Sequence, residues 1–229
     1  MLQEAWRTGL ALTRAGQRLR HPEADLDRLR VEEMDPGSDR TMEPLAVTTL
    51  VTDALESLGV PYAVGGSMAS SLHGEPRFTR DADLLADLRP EQAAPLVDRL
   101  KDVFYVDLEA VLGAIRRKRS FNLIHLATAF KVDVFVSPGR PFERSRLARR
   151  EEARGPGYRL YVSTAEDVVL AKLEWYREGG GTSDRQWRDI LAVLAIQGER
   201  LDAGYLRSWA SSLGVEDLLE RAFAESSGG

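Results

Sequence analysis

Short apolar runs with strand-like alternation recur in the first two thirds of the chain. The clearest is residues 130–136, where the valines at 132, 134 and 136 share one face. Residues 121–126 precede it closely enough to form a hairpin with it. Around these runs, apolar residues recur at the spacing of helices that bury one face. The pattern predicts an α+β fold, a small mixed sheet flanked by helices.

The predicted elements follow a simple order. Helices are expected over residues 44–58, 67–73 and 91–101, and strands over 61–65, 82–87, 121–126, 130–136 and, at a sheet edge, 158–162. From Ser163 or Thr164 onward the pattern is helical. Gly179-Gly180-Gly181 ends the first of these helices and Ser183 starts the second, which stops near Gly198. Two more helices are expected over 205–213 and 216–223, so the chain should close with a helical lobe.

Breaks in the pattern suggest the domain organisation. Residues 1–41 are highly charged and contain the breaker Asp35-Pro36-Gly37-Ser38, which predicts an appended helix and a flexible linker. We expect the core in residues 42–162, the helical lobe in 163–225 and a disordered tail in 226–229.

Composition narrows the class of protein. The chain has 229 residues, 43% of them hydrophobic, with no cysteine and a net charge of −5. It is long enough for one good core and a smaller lobe. It lacks both a signal segment and a continuous apolar run of about 18 residues. We therefore expect a cytoplasmic protein with no membrane partner.

Two acids open the predicted strand 82–87. Asp81 and Asp83 are two residues apart, so along a strand they project to the same side, while Ala82 and Leu84 turn to the other. Adjacent carboxylates repel one another unless they are solvated or share a cation. Hard oxygen ligands of this kind suit Mg²⁺. The acids are therefore either a solvated strand end or part of a magnesium site.

A glycine pair precedes the acids. Gly65 and Gly66 let the chain turn after the apolar segment that ends at Val64, and Ser67 can cap the short helix that follows. Free amide groups and the positive end of the helix dipole would favour an anion over this turn. A structural turn without a ligand is the alternative. Together with the acids, the turn suggests a protein that handles a nucleoside triphosphate.

A third acid lies inside the alternating strand 130–136. Asp133 falls on the face opposite the valines, together with Lys131 and Phe135. An acid in so apolar a strand is costly unless it is paired, ligated or beside a wet cleft. It is either a functional acid or one satisfied by an arginine or lysine across the sheet.

These three motifs resemble those of the nucleotidyltransferase superfamily with the DNA polymerase beta-type core. The nearest likeness is to its minimal bacterial members, the AbiEii-like and related nucleotidyltransferases, in which Arg-x-Thr-x-Asp-x-Asp is a familiar motif; here it is Arg77, Thr79, Asp81 and Asp83. The resemblance spans roughly residues 43–225. It implies a transferase of the nucleotidyltransferase type that moves a nucleoside monophosphate from an NTP to a hydroxyl.

The resemblance also implies a role for each residue. Gly65, Gly66 and Ser67 would hold the β and γ phosphates, with Arg77 and Thr79 among the nucleotide-binding residues. Asp81, Asp83 and Asp133 would be the catalytic and metal-binding residues, holding two Mg²⁺ ions or Mn²⁺ in their place. Phosphoryl-type transfer depends on positioning and charge neutralisation more than on a covalent nucleophile.

Two residues of the C-terminal helices join this set by the same resemblance. Lys172 and the pair Arg188-Asp189 match family positions that complete the nucleotide site. Lys172 lies among apolar residues, which suits a buried stem with its ammonium directed at a phosphate. The alternative for each is a surface or interhelix salt bridge.

Basic residues are concentrated in two places. One is the run Arg116-Arg117-Lys118-Arg119, and the other is the set Arg140, Arg144, Arg146, Arg149 and Arg150. Either could contact the phosphates of an RNA acceptor. Equally, both could be solvated turns and a salt-bridged helix face.

Three functions are compatible with the sequence. The first is a Mg²⁺-dependent nucleotidyltransferase that modifies RNA, such as tRNA, or protein, as an AbiEii-like toxin with a cognate antitoxin or regulator would. The second transfers the nucleotide to a small hydroxylated molecule, as antibiotic-modifying relatives do. The third is a catalytically idle nucleotide-binding or antitoxin-like module, which the intact Asp81, Asp83 and Asp133 disfavour.

Overall fold

The computed structural model describes residues 44–75, 79, 81–155 and 158–226. The helices of this part are α1 (Pro44–Ser57), α2 (Gly66–His73), α3 (Pro90–Leu100), α4 (Leu108–Arg117), α5 (Pro141–Arg149), α6 (Ala165–Glu178), α7 (Asp184–Gln197), α8 (Ala203–Leu213) and α9 (Glu216–Ser226). The strands are β1 (Tyr62–Val64), β2 (Asp81–Ala86), β3 (Phe104–Tyr105), β4 (Ser120–His125), β5 (Lys131–Val136), β6 (Glu151–Gly155) and β7 (Tyr158–Val162). The expected extension 1–41, Arg77 and residues 227–229 lie outside the described residues.

The strands form one mixed sheet flanked by helices. Their order is β3-β4-β5-β2-β1-β7-β6. Strand β2 runs parallel to β5, and β1 runs parallel to β7. Strand β4 is antiparallel to both β5 and β3. The predicted α+β class and the predicted hairpin of β4 with β5 are confirmed.

The prediction that residues 158–162 form an edge strand is wrong. Strand β7 lies between β1 and β6, so β6 is the edge of the sheet on that side. Four of the five residues of β6 are charged or glycine, and its side chains are mostly exposed. An edge strand exposed to water needs no apolar alternation, which is why its sequence gives no strand signal.

The helix caps follow from local sequence. Thr164 accepts a hydrogen bond from the backbone N–H of Asp167 at the start of α6, and Ser183 accepts one from Gln186 at the start of α7. Both are the hydroxyl caps expected at helix N-termini. Helix α7 ends at Gly198, whose φ of 52° suits a residue without a side chain.

Backbone contacts divide the chain into two compact units. Among the described residues, unit 1 comprises 44–62, 79, 81–138, 154–155 and 158–160, and unit 2 comprises 63–75, 139–153 and 161–226. Unit 1 buries alternate residues of its strands, among them Leu84, Val132 and Val134, each fully inaccessible to water. Unit 2 is built around α6, α7 and the last two helices, with Leu170, Leu173 and Ile190 at its centre. None of the described helices combines the length and the apolar character needed to cross a membrane.

Candidate functional site

Three acids of unit 1 lie on one face of the sheet. Asp83 on β2 stands opposite Asp133 on the parallel strand β5, and Asp81 stands opposite Lys131. Their strand neighbours Ala82, Leu84, Val132 and Val134 are fully buried on the other face, whereas the acids are half-buried. Neighbouring strands are about 5 Å apart, so this register brings the carboxylates of Asp83 and Asp133 together.

Two polar contacts hold these acids in place. The buried hydroxyl of Thr79 donates to the backbone carbonyl of Asp81 at 2.8 Å. The ammonium of Lys131 lies 2.6 Å from Asp133 Oδ2. Thr79, which was predicted to bind nucleotide, therefore supports the start of β2; its nucleotide contact stays a prediction. Asp133 does have a lysine partner, on its own strand and two residues away.

Electrostatics around Asp133 oppose its ionisation. Burial raises the pKa of the Asp133 carboxyl above its usual range, and the charge of Asp81 adds to the rise. The hydrogen bond and the positive charge of Lys131 act in the opposite direction on the same pKa. The face that carries Asp81, Asp83 and Asp133, here called the acid face, thus has negative charge that Lys131 compensates only in part.

The same face offers oxygen ligands for a metal ion. In the part of the chain that the structure describes, no group of three or more histidine, aspartate or glutamate side chains is arranged to hold a metal ion. The donor set itself fits Mg²⁺, because Asp81, Asp83 and Asp133 supply hard carboxylate oxygens on adjoining strands. Lys131, however, is bound to one of those oxygens.

Asn122 is a further polar residue of this face that the sequence analysis missed. It lies on β4 directly opposite Asp133, and its side chain is exposed. The residues Asn122, Asp133 and Asp83 thus form one row across three strands. The predicted hairpin of β4 and β5 could have identified Asn122, because the register of a hairpin fixes which residue lies opposite Asp133.

The glycine turn belongs to unit 2. Gly65 is the N-cap residue of α2, and Gly66 has a φ of 55°, a left-handed conformation that favours glycine. The prediction that Ser67 caps the helix is wrong: the helix begins one residue earlier, and no side chain caps it. Phosphate binding by the amide groups of this turn stays a prediction.

A second residue missed from the sequence, Arg185, contacts this turn. Its guanidinium Nη2 donates to Ser67 Oγ at 3.4 Å, and the arginine side chain is exposed on α7. A long-range contact between residues 118 positions apart leaves no local sequence signal. Arg185 thus brings a positive charge to the turn for which phosphate binding was predicted.

The predicted pair Lys172 and Arg188 is arranged differently from the expectation. Lys172 Nζ donates to Asp189 Oδ2 at 2.8 Å, and the two side chains are only 9% and 8% exposed. The interhelix salt bridge considered for Lys172 is therefore present. Arg188 is exposed, and its Nε donates to the backbone carbonyl of Asp184. A nucleotide contact by either residue stays a prediction.

The arginines around α5 are mostly used inside unit 2. Arg140 pairs with Glu143 and Glu174, and Arg149 pairs with Glu166. The side chain of Arg150 stacks on the ring of Tyr161, 5.0 Å from its centroid. The salt-bridged helix face therefore describes this set better than a surface for RNA.

Arg149 also borders a buried polar group. Its guanidinium lies 3.7 Å from the ring centroid of Tyr205, whose hydroxyl donates to Asp167 Oδ1 at 2.7 Å. Burial raises the pKa of the fully buried Asp167 carboxyl and raises that of Tyr205 to about 12. This network joins α5, α6 and α8 and serves packing in unit 2.

The basic run of unit 1 is placed differently. Arg116 and Arg117 form the last turn of α4, Lys118 follows with a φ of 51°, and Arg119 leads into β4. All four side chains are exposed. Within the described residues none of them is paired with an acid. The run leads into the strand that carries Asn122.

Comparisons with known proteins agree with this architecture. No family model matches the chain, and no curated protein matches it in sequence. Among solved structures, an antigenic nucleotidyltransferase-like protein from Paracoccidioides brasiliensis aligns over 80% of this chain and 93% of its own, with 18% identity and a TM-score of 0.50. At this identity the likeness defines the fold: the chain has a nucleotidyltransferase-like fold.

Two further solved structures are similar. The antibiotic-resistance factor ANT(2'')-Ia aligns over 79% of this chain and 97% of its own, with 14% identity and a TM-score of 0.49. A lincosamide antibiotic adenylyltransferase, LnuA, solved with lincomycin bound, aligns over 66% and 96% respectively, with 15% identity and a TM-score of 0.44.

Proposed function

We propose that this protein is a nucleotidyltransferase that moves a nucleoside monophosphate from an NTP to a hydroxyl group. The observation that carries the proposal is the register of β2 and β5, which places Asp83 opposite Asp133 on the same face as Asp81. Paired carboxylates at the start of parallel strands, in a nucleotidyltransferase-like fold, form a donor set for divalent cations that bind triphosphates.

Each residue of the site has a proposed role. Asp81 and Asp83 would hold Mg²⁺, and Asp133 would share it on the side of the accepting hydroxyl. When bound, Mg²⁺ supplies neutralisation of the triphosphate charge and a lower pKa for the accepting hydroxyl. Thr79 fixes the backbone of Asp81. In unit 2, the amide groups of Gly65, Gly66 and Ser67 and the nearby Arg185 would hold phosphate oxygens.

For the acceptor, we propose a macromolecule that carries phosphates, with RNA as the first candidate. The exposed run 116–119 supports this, because four adjacent basic side chains without acidic partners among the described residues attract a polyanion. Protein would be the other macromolecular acceptor. With either macromolecule as acceptor, the protein could act as a toxin that has a cognate regulator. A small hydroxylated molecule remains the second candidate.

The function is tested by following the label from NTPs. The full chain is incubated with each α-labelled NTP, MgCl₂ and, separately, total RNA, cell-lysate protein, or a panel of small hydroxylated antibiotics. We expect label in the RNA fraction, and addition of a chelator should remove it. Label in the antibiotic would favour the small-molecule candidate. Absence of transfer to every acceptor, with protein that binds NTP, would leave a nucleotide-binding module.

Asp133→Asn should lower turnover far more than nucleotide binding. The reason is that Asp133 is proposed to act on the accepting hydroxyl, an interaction made mainly in the transition state. We expect affinity for NTP with MgCl₂ to change by less than about fivefold, while turnover falls by about a hundredfold or more. Calorimetry beside the transfer assay separates the two effects. Equal losses in both would make Asp133 a ground-state ligand.

A further inference from the structure

Lys131 is a charged residue of the face that carries Asp81, Asp83 and Asp133, and the proposed chemistry gives it no role. It lies on β5, two residues before Asp133, so the two side chains project to the same face. Its strand neighbour is Asp81, which is opposite it in the register of β2 and β5. The ammonium therefore lies against Asp133, and Lys131 stands opposite a second proposed metal ligand, Asp81.

The contact between Lys131 and Asp133 takes up a ligand oxygen. Lys131 Nζ lies 2.6 Å from Asp133 Oδ2, and the carboxylate is 14% exposed. A charge-assisted hydrogen bond of this length occupies a lone pair that a divalent cation would need. The lysine end of the pair is more accessible, with 36% of its side chain exposed. Its flexible four-carbon stem allows the ammonium to leave the carboxylate without movement of the strand.

We infer that Lys131 competes with the divalent cation for Asp133 and thereby sets the metal affinity of the site. This inference rests on the proposed function, since it assumes that Asp81, Asp83 and Asp133 bind the cation. Without metal, the ammonium neutralises part of the charge of the acid face. On metal binding the ammonium is displaced from Asp133 Oδ2. The free energy of metal binding is therefore reduced by the loss of this ion pair and by repulsion between the ammonium and the cation.

The magnitude follows from Coulomb's law. A single positive charge at about 5 Å from a divalent cation, in a setting close to water, opposes binding enough to change affinity about tenfold. The Lys131 side chain is 36% exposed, so water screens its charge and the water-like limit sets the lower bound of the effect. Removing the ammonium should therefore tighten metal binding while leaving the acid ligands intact.

The test measures MnCl₂ binding to the full chain by calorimetry, without nucleotide. Lys131→Met should bind Mn²⁺ about tenfold more tightly than the wild type. Lys131→Arg, which keeps the charge, should stay within about twofold of the wild type. The matched control is Lys101→Met, which removes the same charge from an exposed lysine paired with Asp98 in the same unit. It should leave the affinity unchanged.

Thermal melts provide a second readout. Without metal, Lys131→Met should melt at a lower temperature than the wild type, because the acids lose their counter-ion. Added MnCl₂ should raise its melting temperature by more than that of the wild type, because tighter binding stabilises the folded state more. Lys131→Gln, which is neutral but can still donate to Asp133, replaces the Met variant if that protein does not fold.

The outcomes separate this inference from the proposed function. If wild type and Lys131→Met bind Mn²⁺ equally, or the variant binds more weakly, Lys131 does not compete and the inference is overturned while the metal site stands. If neither protein nor the Gln variant binds Mn²⁺, the metal site itself is absent, which overturns both.

Discussion

Asp83→Asn is expected to abolish metal-dependent nucleotide transfer while the fold survives. Asp83 lies opposite Asp133 on the neighbouring strand and shares a face with Asp81, so an amide here removes a charged oxygen ligand from between these two acids. Loss of a metal ligand should remove several kcal/mol of transition-state stabilisation, or about a thousandfold in rate. The transfer assay with labelled NTP measures this. We expect the same result for Asp81→Asn.

The control for this prediction is Asp102→Asn, which removes one negative charge from an exposed position in the same unit. Its turnover should match the wild type. Without metal, the melting temperatures of the Asp81 and Asp83 variants should be unchanged or higher, because one of several repelling carboxylates is gone. Turnover near the wild-type value in either variant would remove the metal assignment.

The second large effect concerns the salt bridge between α6 and α7. Asp189→Ala should lower the free energy of unfolding by about 3–5 kcal/mol, because it leaves the ammonium of Lys172 buried without its carboxylate. Both side chains are at most 9% exposed, so water cannot replace the lost partner. Urea denaturation monitored by circular dichroism measures the change.

Two further variants make the test specific. The double change Lys172→Met with Asp189→Leu should recover most of the stability, because an apolar pair of similar size avoids the buried charges. Glu220→Ala breaks an exposed pair with Arg207, whose side chains are 57% and 52% exposed, and should cost less than about 1 kcal/mol. A small effect of Asp189→Ala would mean that Lys172 reaches solvent or another acid.

Sequence predicted the parts of the fold whose signals are local. The alternation in β5 gave its buried face, and the hydroxyls of Thr164 and Ser183 marked two helix starts. Helix α5 was missed because five of its nine residues are charged or polar and its buried face includes Glu143. Arg140 at its N-cap and Arg149 at its end form ion pairs with residues distant in sequence, which no periodicity reveals.

In the candidate site too, local features were predictable from the sequence and long-range contacts were not. The shared face of Asp81 and Asp83 follows from strand geometry and is present. The structural alternative for Asp133 was an arginine or lysine across the sheet, but the lysine two residues earlier reaches it along the strand. From the sequence around Lys172, a phosphate and an acidic side chain are equally good partners for its ammonium. The choice of Asp189 depends on how α6 and α7 pack, and that is set by the tertiary structure.

The interleaving of the two units has a consequence for the order in which the chain can fold during synthesis. Unit 1 needs residues 154–155 and 158–160, which follow the middle segment of unit 2, and unit 2 needs residues 161–226. A nascent chain that has just exposed Asp133 therefore still lacks a segment of each unit. Folding must wait for contacts between distant segments, which slows it and prolongs the time that chaperones can act. For the same reason, separate expression of residues 42–162 and 163–225 should yield fragments that fold only when combined.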